Sequence, residues 1–186
     1  MIGFAFCGSF CTIGKSLLEL EKLCLQYPVQ GIVSEAVYET DTRFSTARAV
    51  CERIETLTGR SVIHTVVDAE PLGPANPMQA LIICPCTGNT LAKMACGITD
   101  SSVTMAAKAH LRNNKPLVIA LASNDALSAN LKNIGALLTR KNVYFVPMKQ
   151  DDPEKKPHSL VADFTQLPKT LEAALEGVQY QRLFQV

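Results

Sequence analysis

Nowhere in this sequence does an apolar run reach the roughly 18 residues that a membrane-spanning helix needs. No such helix is expected. Lys and Arg are scattered along 186 residues carrying a net charge of +1, without the clustered basic face of a nucleic-acid binder. The seven cysteines contain no CxxC pair. Cys84 and Cys86 flank Pro85, and no second Cys or His pair stands nearby to complete four ligands, which argues against structural zinc. The N-terminus, MIGFAFCGSF, lacks the basic leader and the small-residue cleavage site of a secretory signal, so it reads as a first strand. An odd cysteine count without such a signal fits reduced cytoplasmic thiols better than a disulfide framework. The dinucleotide fingerprint GxGxxG is also missing. The stretch from Gly8 to Ser16 approaches a P-loop, but five residues separate Gly8 from Gly14 where the motif needs four. No Walker-B strand ending in Asp is visible. Nucleotidase and NAD-binding readings therefore have no local support.

What is present is a strongly apolar, evenly paced chain. Hydrophobic residues make up 47% and charged residues 19%, a balance that folds compactly. Five short runs, Ile2–Cys7, Gly31–Ser34, Ala80–Cys84, Leu117–Leu121 and Val143–Val146, are apolar almost throughout instead of alternating. That is the mark of strands covered on both faces. A short edge strand is expected near Val62–His64. Helical stripes lie between the strands: Leu17, Leu18, Glu21 and Cys24; Phe44, Ala47, Cys51, Ile54 and Leu57, closed by Gly59; Val103, Ala106, Ala107, His110 and Leu111; and Leu127, Leu131, Ile134 and Leu138. The alternation predicts right-handed βαβ crossovers and a three-layer α/β/α Rossmann-like (flavodoxin-like) fold with a mostly parallel sheet. Asp68–Pro77, with three prolines, is expected to be a loop, and so is the polar Gln150–Ser159. The tail carries a helical pattern around Leu167–Leu175. Residues 1–186 read as one domain.

In such a sheet, ligands bind beyond the carboxyl ends of the strands. Those ends read Cys7-Gly8-Ser9-Phe10, Ser34-Glu35-Ala36, Pro85-Cys86-Thr87-Gly88-Asn89-Thr90 and Ala122-Ser123-Asn124-Asp125. Small residues, hydroxyls and Asn recur among them. Phosphate binding uses this equipment: approachable backbone N–H groups, hydroxyl donors and helix N-termini. Each loop alone is explained by ordinary turns and caps. Four on one sheet edge point to a phosphate-bearing cofactor.

The block from Pro85 to Thr90 resembles the Pro-Ala-Ser-Ala-Asn-Thr motif of the flavin-dependent cysteine decarboxylase superfamily. Pro85, Asn89 and Thr90 match, and Thr87 stands at the Ser position. Gly97-Ile98-Thr99-Asp100-Ser101-Ser102 is similar to its Gly-x-x-Asp-[Asn/Asp]-Leu segment, with Ser101 and Ser102 replacing the last two residues. Further blocks, GSFCTIGK, the stretch from Pro85 through Asn113, and IALASNDALSANLKNIGALLTRKNVYFVPMKQDDP followed by KKPHSLVA, carry the resemblance over nearly the whole chain. The resemblance implies a Rossmann-like flavoprotein that assembles as a trimer or a multiple of three, with FMN at a subunit interface. It places Gly8, Ser9, Phe10, Ser34, Thr87, Gly88, Asn89 and Thr90 on the cofactor. Asp100 and Ser101 then belong to a flavin-side loop, and Ser123 to the end of the fourth strand.

The function implied is an oxidoreductase subunit that, with a partner subunit, takes a hydride and a proton from a small dihydropyridine dicarboxylate. The implied setting is the mother-cell cytoplasm of a sporulating bacterium. A flavin prenyltransferase or decarboxylase of the same superfamily, and a flavin-binding subunit without catalysis, are the alternatives. Flavin prenyltransferases carry an Arg-Glu pair where Ser123 and Asn124 stand here, and the Pro-x-Met-Asn substrate clamp of the peptidyl-cysteine decarboxylases is absent. His64 reads as a strand-edge side chain, His110 as a satisfied core histidine and Lys15 as a solvent-facing helix residue. Cys11 and Cys86 border the expected site. The Lys155–Lys156 loop, with Ser123 and Asn124, is a candidate for meeting substrate carboxylates, although a solvated charge run is its plainer reading.

Overall fold

The computed structural model describes residues 1–73 and 78–185. Strands β1 (Ile2–Phe6), β2 (Val29–Val33), β3 (Ala80–Cys86) and β4 (Leu117–Ser123) are buried at every residue. They read as unbroken apolar runs because helices cover both sides of the sheet. All four are parallel, in the order β2-β1-β3-β4. Strand β5 (Val143–Phe145) continues the parallel sheet along the first half of β4, with Leu117 opposite Val143. Two further strands, β6 (Met148–Lys149) and β7 (Leu160–Ala162), follow. The second half of β4 pairs antiparallel with β7 through Ala122 and Ser123, and β7 pairs antiparallel with β6.

The sheet is therefore mixed, and the antiparallel pair is an addition to the sequence expectation. Elements two and three residues long show no periodicity, and here they flank a polar segment. The expected edge strand at Val62–His64 is reduced to one parallel bridge between Ile63 and Ile32.

Eight helices connect the strands among the described residues: α1 (Phe10–Cys24), α2 (Glu35–Glu39), α3 (Ala47–Thr58), α4 (Val66–Ala69), α5 (Gly88–Ala95), α6 (Ser102–Leu111), α7 (Leu131–Leu138) and α8 (Leu167–Leu175). Helix α3 ends as its pattern predicts, on Gly59 at φ 65°, the left-handed conformation that closes helices and suits glycine. Other expectations need correction. All of Asp68–Leu72 is helical: Thr65 caps α4 by accepting from the Asp68 N–H, and a 3-10 turn follows at Glu70–Leu72, where Pro71 costs nothing in the first turn. Residues 74–77 of that expected loop lie outside the described residues. Leu127 precedes α7, because the chain turns at Asp125–Ser128 before the helix begins. Gly14 and Lys15 lie inside α1, with Lys15 exposed, so no phosphate loop forms there.

Helix α1 packs against the 3-10 turn at Phe164–Gln166 that leads into α8, while α5 packs against both α6 and α7, and α6 reaches β2, β3 and β4. The chain leaves β1 toward β2 and returns to β3 on the other flank of β1. Strand order thus reverses between β1 and β3, where α/β sheets open a crevice. Backbone bonds hold the strand ends together there: the Cys7 N–H donates to the Pro85 carbonyl (3.1 Å) and the Ser34 N–H to the Phe6 carbonyl (3.0 Å).

Candidate functional site

Two hollows open at this reversal. The smaller, about 300 Å³, is lined by Gly8, Ser34, Thr87, Asn89, Thr90, Lys93 and Ser101 together with Glu35 and Ala36. The larger, about 620 Å³, runs from Ser9 and Gly88 toward Ser123, Asn124 and Asp125. Gly8, Thr87 and Asn89 line both, so the two form one continuous groove. Its combined volume lies in the range of cofactor sites.

Local chemistry explains the shape. Thr87 caps α5: its hydroxyl accepts from the Thr90 N–H (3.3 Å) and donates to the Thr90 hydroxyl (3.1 Å). Ser101 caps α6 in a reciprocal box with Thr104. The caps of α1 and α2 differ. Ser9 and Ser34 occupy those N-cap positions, yet neither side chain accepts from a backbone N–H of its helix; Ser9 Oγ accepts only from the Thr12 hydroxyl (3.0 Å). Their first-turn N–H groups lack a side-chain acceptor, the condition in which a helix start attracts an anion. The Ser34 hydroxyl goes further, being buried with no partner at all. An unsatisfied buried hydroxyl costs about 1–3 kcal/mol, so its place in the wall of a polar hollow points to a ligand atom.

Lys93 supplies the cation of the smaller hollow. It also pairs with Asp100 (2.9 Å), and this hydrogen bond holds the Asp100 carboxyl below the usual carboxylate range. Asp100 itself lines neither hollow. Phe10 also lines neither; it faces a third hollow, between α1 and α3, together with Phe44. The structure thus gathers Gly8, Ser9, Ser34, Thr87, Gly88, Asn89, Thr90, Ser101 and Ser123 along one groove, and leaves Phe10 and Asp100 beside it.

Gly88 is required by contact. A Cβ there would lie 2.5 Å from Ser123 Oγ, 2.6 Å from Asn130 Nδ2 and 2.7 Å from Asp125 Oδ1. Those atoms form a chain: Ser123 donates to one Asp125 oxygen, Asn130 donates to the other (2.9 Å), and Asn133 donates to Asn130 (2.8 Å). Sequence reasoning placed Asp125 in the loop after the fourth strand but gave a role only to Ser123 and Asn124, and it did not single out Lys93. Lys93 was findable, since it follows Asn89 by four residues and so shares its helix face. Asp125 needed the fold.

Cysteine chemistry is muted at the groove floor. Burial pushes the Cys7 thiol up to about 11, against hydrogen bonds from Thr90 and Thr87 that lower it. Burial likewise raises Cys86 well above its ordinary value. Both are neutral packing groups, whereas Cys11 is exposed on the larger hollow. His64 stacks on Tyr38, ring centroids 3.7 Å apart, and lines neither hollow. His110 is buried with Nε2 bonded to the Pro116 carbonyl (2.9 Å), but Nδ1 has no partner, so the expected satisfied histidine is only half satisfied.

A three-layer α/β sheet with a polar groove at its reversal point defines a class, and known proteins agree with it. The sequence model of the family described as Flavoprotein matches residues 1–168, and the chain belongs to that family. It is 44% identical over 181 residues to the B subunit of dipicolinate synthase of Bacillus subtilis (strain 168), a match spanning 97% of this chain and 90% of that protein. The crystal structure of the dipicolinate synthase B subunit from Bacillus halodurans C superposes with a TM-score of 0.91 at 43% identity, over 100% of this chain and 95% of that one. The FMN-dependent cysteine decarboxylase SpaF superposes with a TM-score of 0.67 at 23% identity over 94% of each chain, a likeness of fold alone.

Proposed function

We propose that the chain is the FMN-binding flavoprotein subunit of a dipicolinate synthase, acting with the dipicolinate synthase A subunit to oxidise dihydrodipicolinate to dipicolinate in the mother-cell cytoplasm of a sporulating bacterium. The observation that carries the reading is the buried, unpartnered Ser34 hydroxyl in a hollow shared with Gly8, Thr87 and Asn89, in a chain 44% identical to a dipicolinate synthase B subunit over nearly its whole length. Several fold relatives support the cofactor by name: SpaF and a dodecameric UbiX-like decarboxylase from Escherichia coli O157:H7 are FMN-dependent, and AnUbiX is complexed with FMN. The dodecamer also supports assembly in multiples of three.

The residues suit the group. Ser34, the N-termini of α1 and α2, and Lys93 offer donors and charge for a phosphate, while the Asn89 amide offers both a donor and an acceptor for a polar ring edge. Bound FMN would supply a hydride acceptor, which is what aromatising a dihydropyridine demands. Around the substrate, this chain's task is to position and to exclude water. The prenyltransferase alternative is disfavoured by the Ser123–Asp125 pair, which sets a carboxylate where diphosphate departure needs a cation.

The test is the visible spectrum of the isolated protein and an FMN titration, then stopped-flow absorbance with the A subunit. The redox reading requires flavin bleaching when substrate is added. Turnover with the flavin spectrum unchanged would leave the chain a non-catalytic binder. Asn89→Ala is expected to weaken FMN binding roughly 10-fold or more, about 1.4 kcal/mol.

A further inference from the structure

The segment Gln150–Ser159 is more than a run of solvated charge. It is bounded by β6 and β7, and β7 is tied to the end of β4 at Ser123. Within it, the Lys155 N–H donates to the Asp152 carboxylate (3.1 Å), Gln150 Nε2 to the Pro157 carbonyl (2.9 Å) and the Ser159 N–H to the Lys156 carbonyl (3.0 Å). The Leu127 N–H donates across to the His158 carbonyl (2.9 Å), pinning the loop against the turn that carries Asp125. The two adjacent lysines part company as a result. Lys155 is exposed and does not line the larger hollow, whereas Lys156 lines it together with Ser123, Asn124, Asp151 and Ser159.

Among the described residues lining that hollow, Lys156 is the one cation. Its ammonium lies 2.7 Å from Asp151, which is a third exposed, while the Lys156 side chain is about half exposed. Exposed ion pairs of this kind contribute little to stability, so the partner is cheap to exchange. The other acid in the wall, Asp125, is already engaged by Ser123 and Asn130 and makes no claim on the lysine.

We infer that Lys156 is a specificity-determining residue that receives a carboxylate of the substrate, with Asp151 holding the ammonium over the groove until the substrate arrives. The inference rests on the proposed reading of the chain as a subunit acting on a pyridine dicarboxylate, and it selects one residue as the anchor. A carboxylate entering between Asn124 and Lys156 replaces a water-exposed Asp with a less exposed partner and meets the neutral Asn124 amide as a second donor. The charge arithmetic favours acids: a neutral ligand offers Lys156 nothing that Asp151 does not already provide.

The experiment measures binding of pyridine-2,6-dicarboxylate to the full chain by calorimetry, with and without FMN, alongside FMN titration of each variant. Lys156→Ala is expected to weaken the dicarboxylate roughly 10-fold or more while FMN affinity and melting temperature hold. Lys156→Arg should recover most of the loss, and Lys155→Ala should bind as the wild type does. Unchanged dicarboxylate affinity in Lys156→Ala, or no measurable binding to the wild type, overturns the inference and leaves the flavin reading intact. Failure of the wild type to bind FMN, with dicarboxylate binding still dependent on Lys156, sinks the flavin reading and leaves the anchor standing.

Discussion

Replacing Gly88 by Ala tests whether the groove wall is a rigid polar assembly. The new methyl carbon would be built 2.5, 2.6 and 2.7 Å from Ser123 Oγ, Asn130 Nδ2 and Asp125 Oδ1, closer than real Cβ atoms approach anything. Side chains usually yield to such intrusion, but these three are bonded to one another, and Asn133 secures Asn130 from behind. Ser123, Asn130 and Asn133 are each at most 8% exposed, so they have little room to move aside. Overpacking costs about 1–3 kcal/mol, and each internal hydrogen bond given up adds about 1 kcal/mol. The better helix propensity of Ala returns less than about 1 kcal/mol, and least at the first helical position. A net loss of about 2–3 kcal/mol follows, which for a chain of this size lowers the melting temperature by about 4–12 °C.

The assay is thermal and urea unfolding of the cofactor-free protein, with Gly135→Ala as reference. Gly135 sits inside α7 with nothing within 4 Å of its would-be Cβ, so that change should stabilise by about 0.5–1 kcal/mol. Adding Ser123→Ala to Gly88→Ala should recover part of the loss. If Gly88→Ala melts with the wild type while Gly135→Ala shows its gain, the wall is soft and the reasoning fails.

Three other outcomes are expected. Ser34→Ala should hold or raise the stability of the cofactor-free protein, since it deletes an unpaired buried hydroxyl, yet weaken FMN by roughly 10-fold, as loss of a bond to a charged group does; a parallel fall in both would mean the serine is merely structural. His110 is held below its ordinary value near 6.5 chiefly by burial, with Lys115 adding to the effect and the Pro116 carbonyl opposing it. Below about pH 6.5 the unfolded chain therefore binds a proton that the folded one refuses, and stability falls as pH drops toward the folded value, by up to about 1.4 kcal/mol per pH unit; unfolding measured between about pH 7 and 5.5 should show this slope, and His110→Gln should remove it. Finally, a thiol reagent should modify Cys11 and Cys96 quickly and Cys7, Cys84 and Cys86 only after unfolding, and saturating FMN should slow Cys11 alone of the first pair.

The amino-acid sequence by itself determined the parallel half of the sheet. Runs such as Ala80–Cys84 and Leu117–Leu121 are apolar at consecutive positions, and only burial on both faces allows that. Gly59 closing α3 and the Leu167–Leu175 helix were legible for similarly local reasons: one left-handed residue, and one stripe of helical period. The strand-end loops were legible as the rim of a polar groove through residue types that act on their own backbone.

Tertiary structure alone decided the rest. Strands β6 and β7 are too short to leave a period, and their pairing depends on β4 changing partner halfway along its length. The bonded wall of Ser123, Asp125 and Asn130 meets Gly88 from 35 or more positions away in sequence, a distance over which composition carries no geometry. Lys155 and Lys156 are chemically identical neighbours, and the pinned turn between β6 and β7 separates the one that faces solvent from the one that faces the groove. Local patterns record what a residue does to its own backbone; which side chains meet across the molecule is set by the packing of elements distant along the chain.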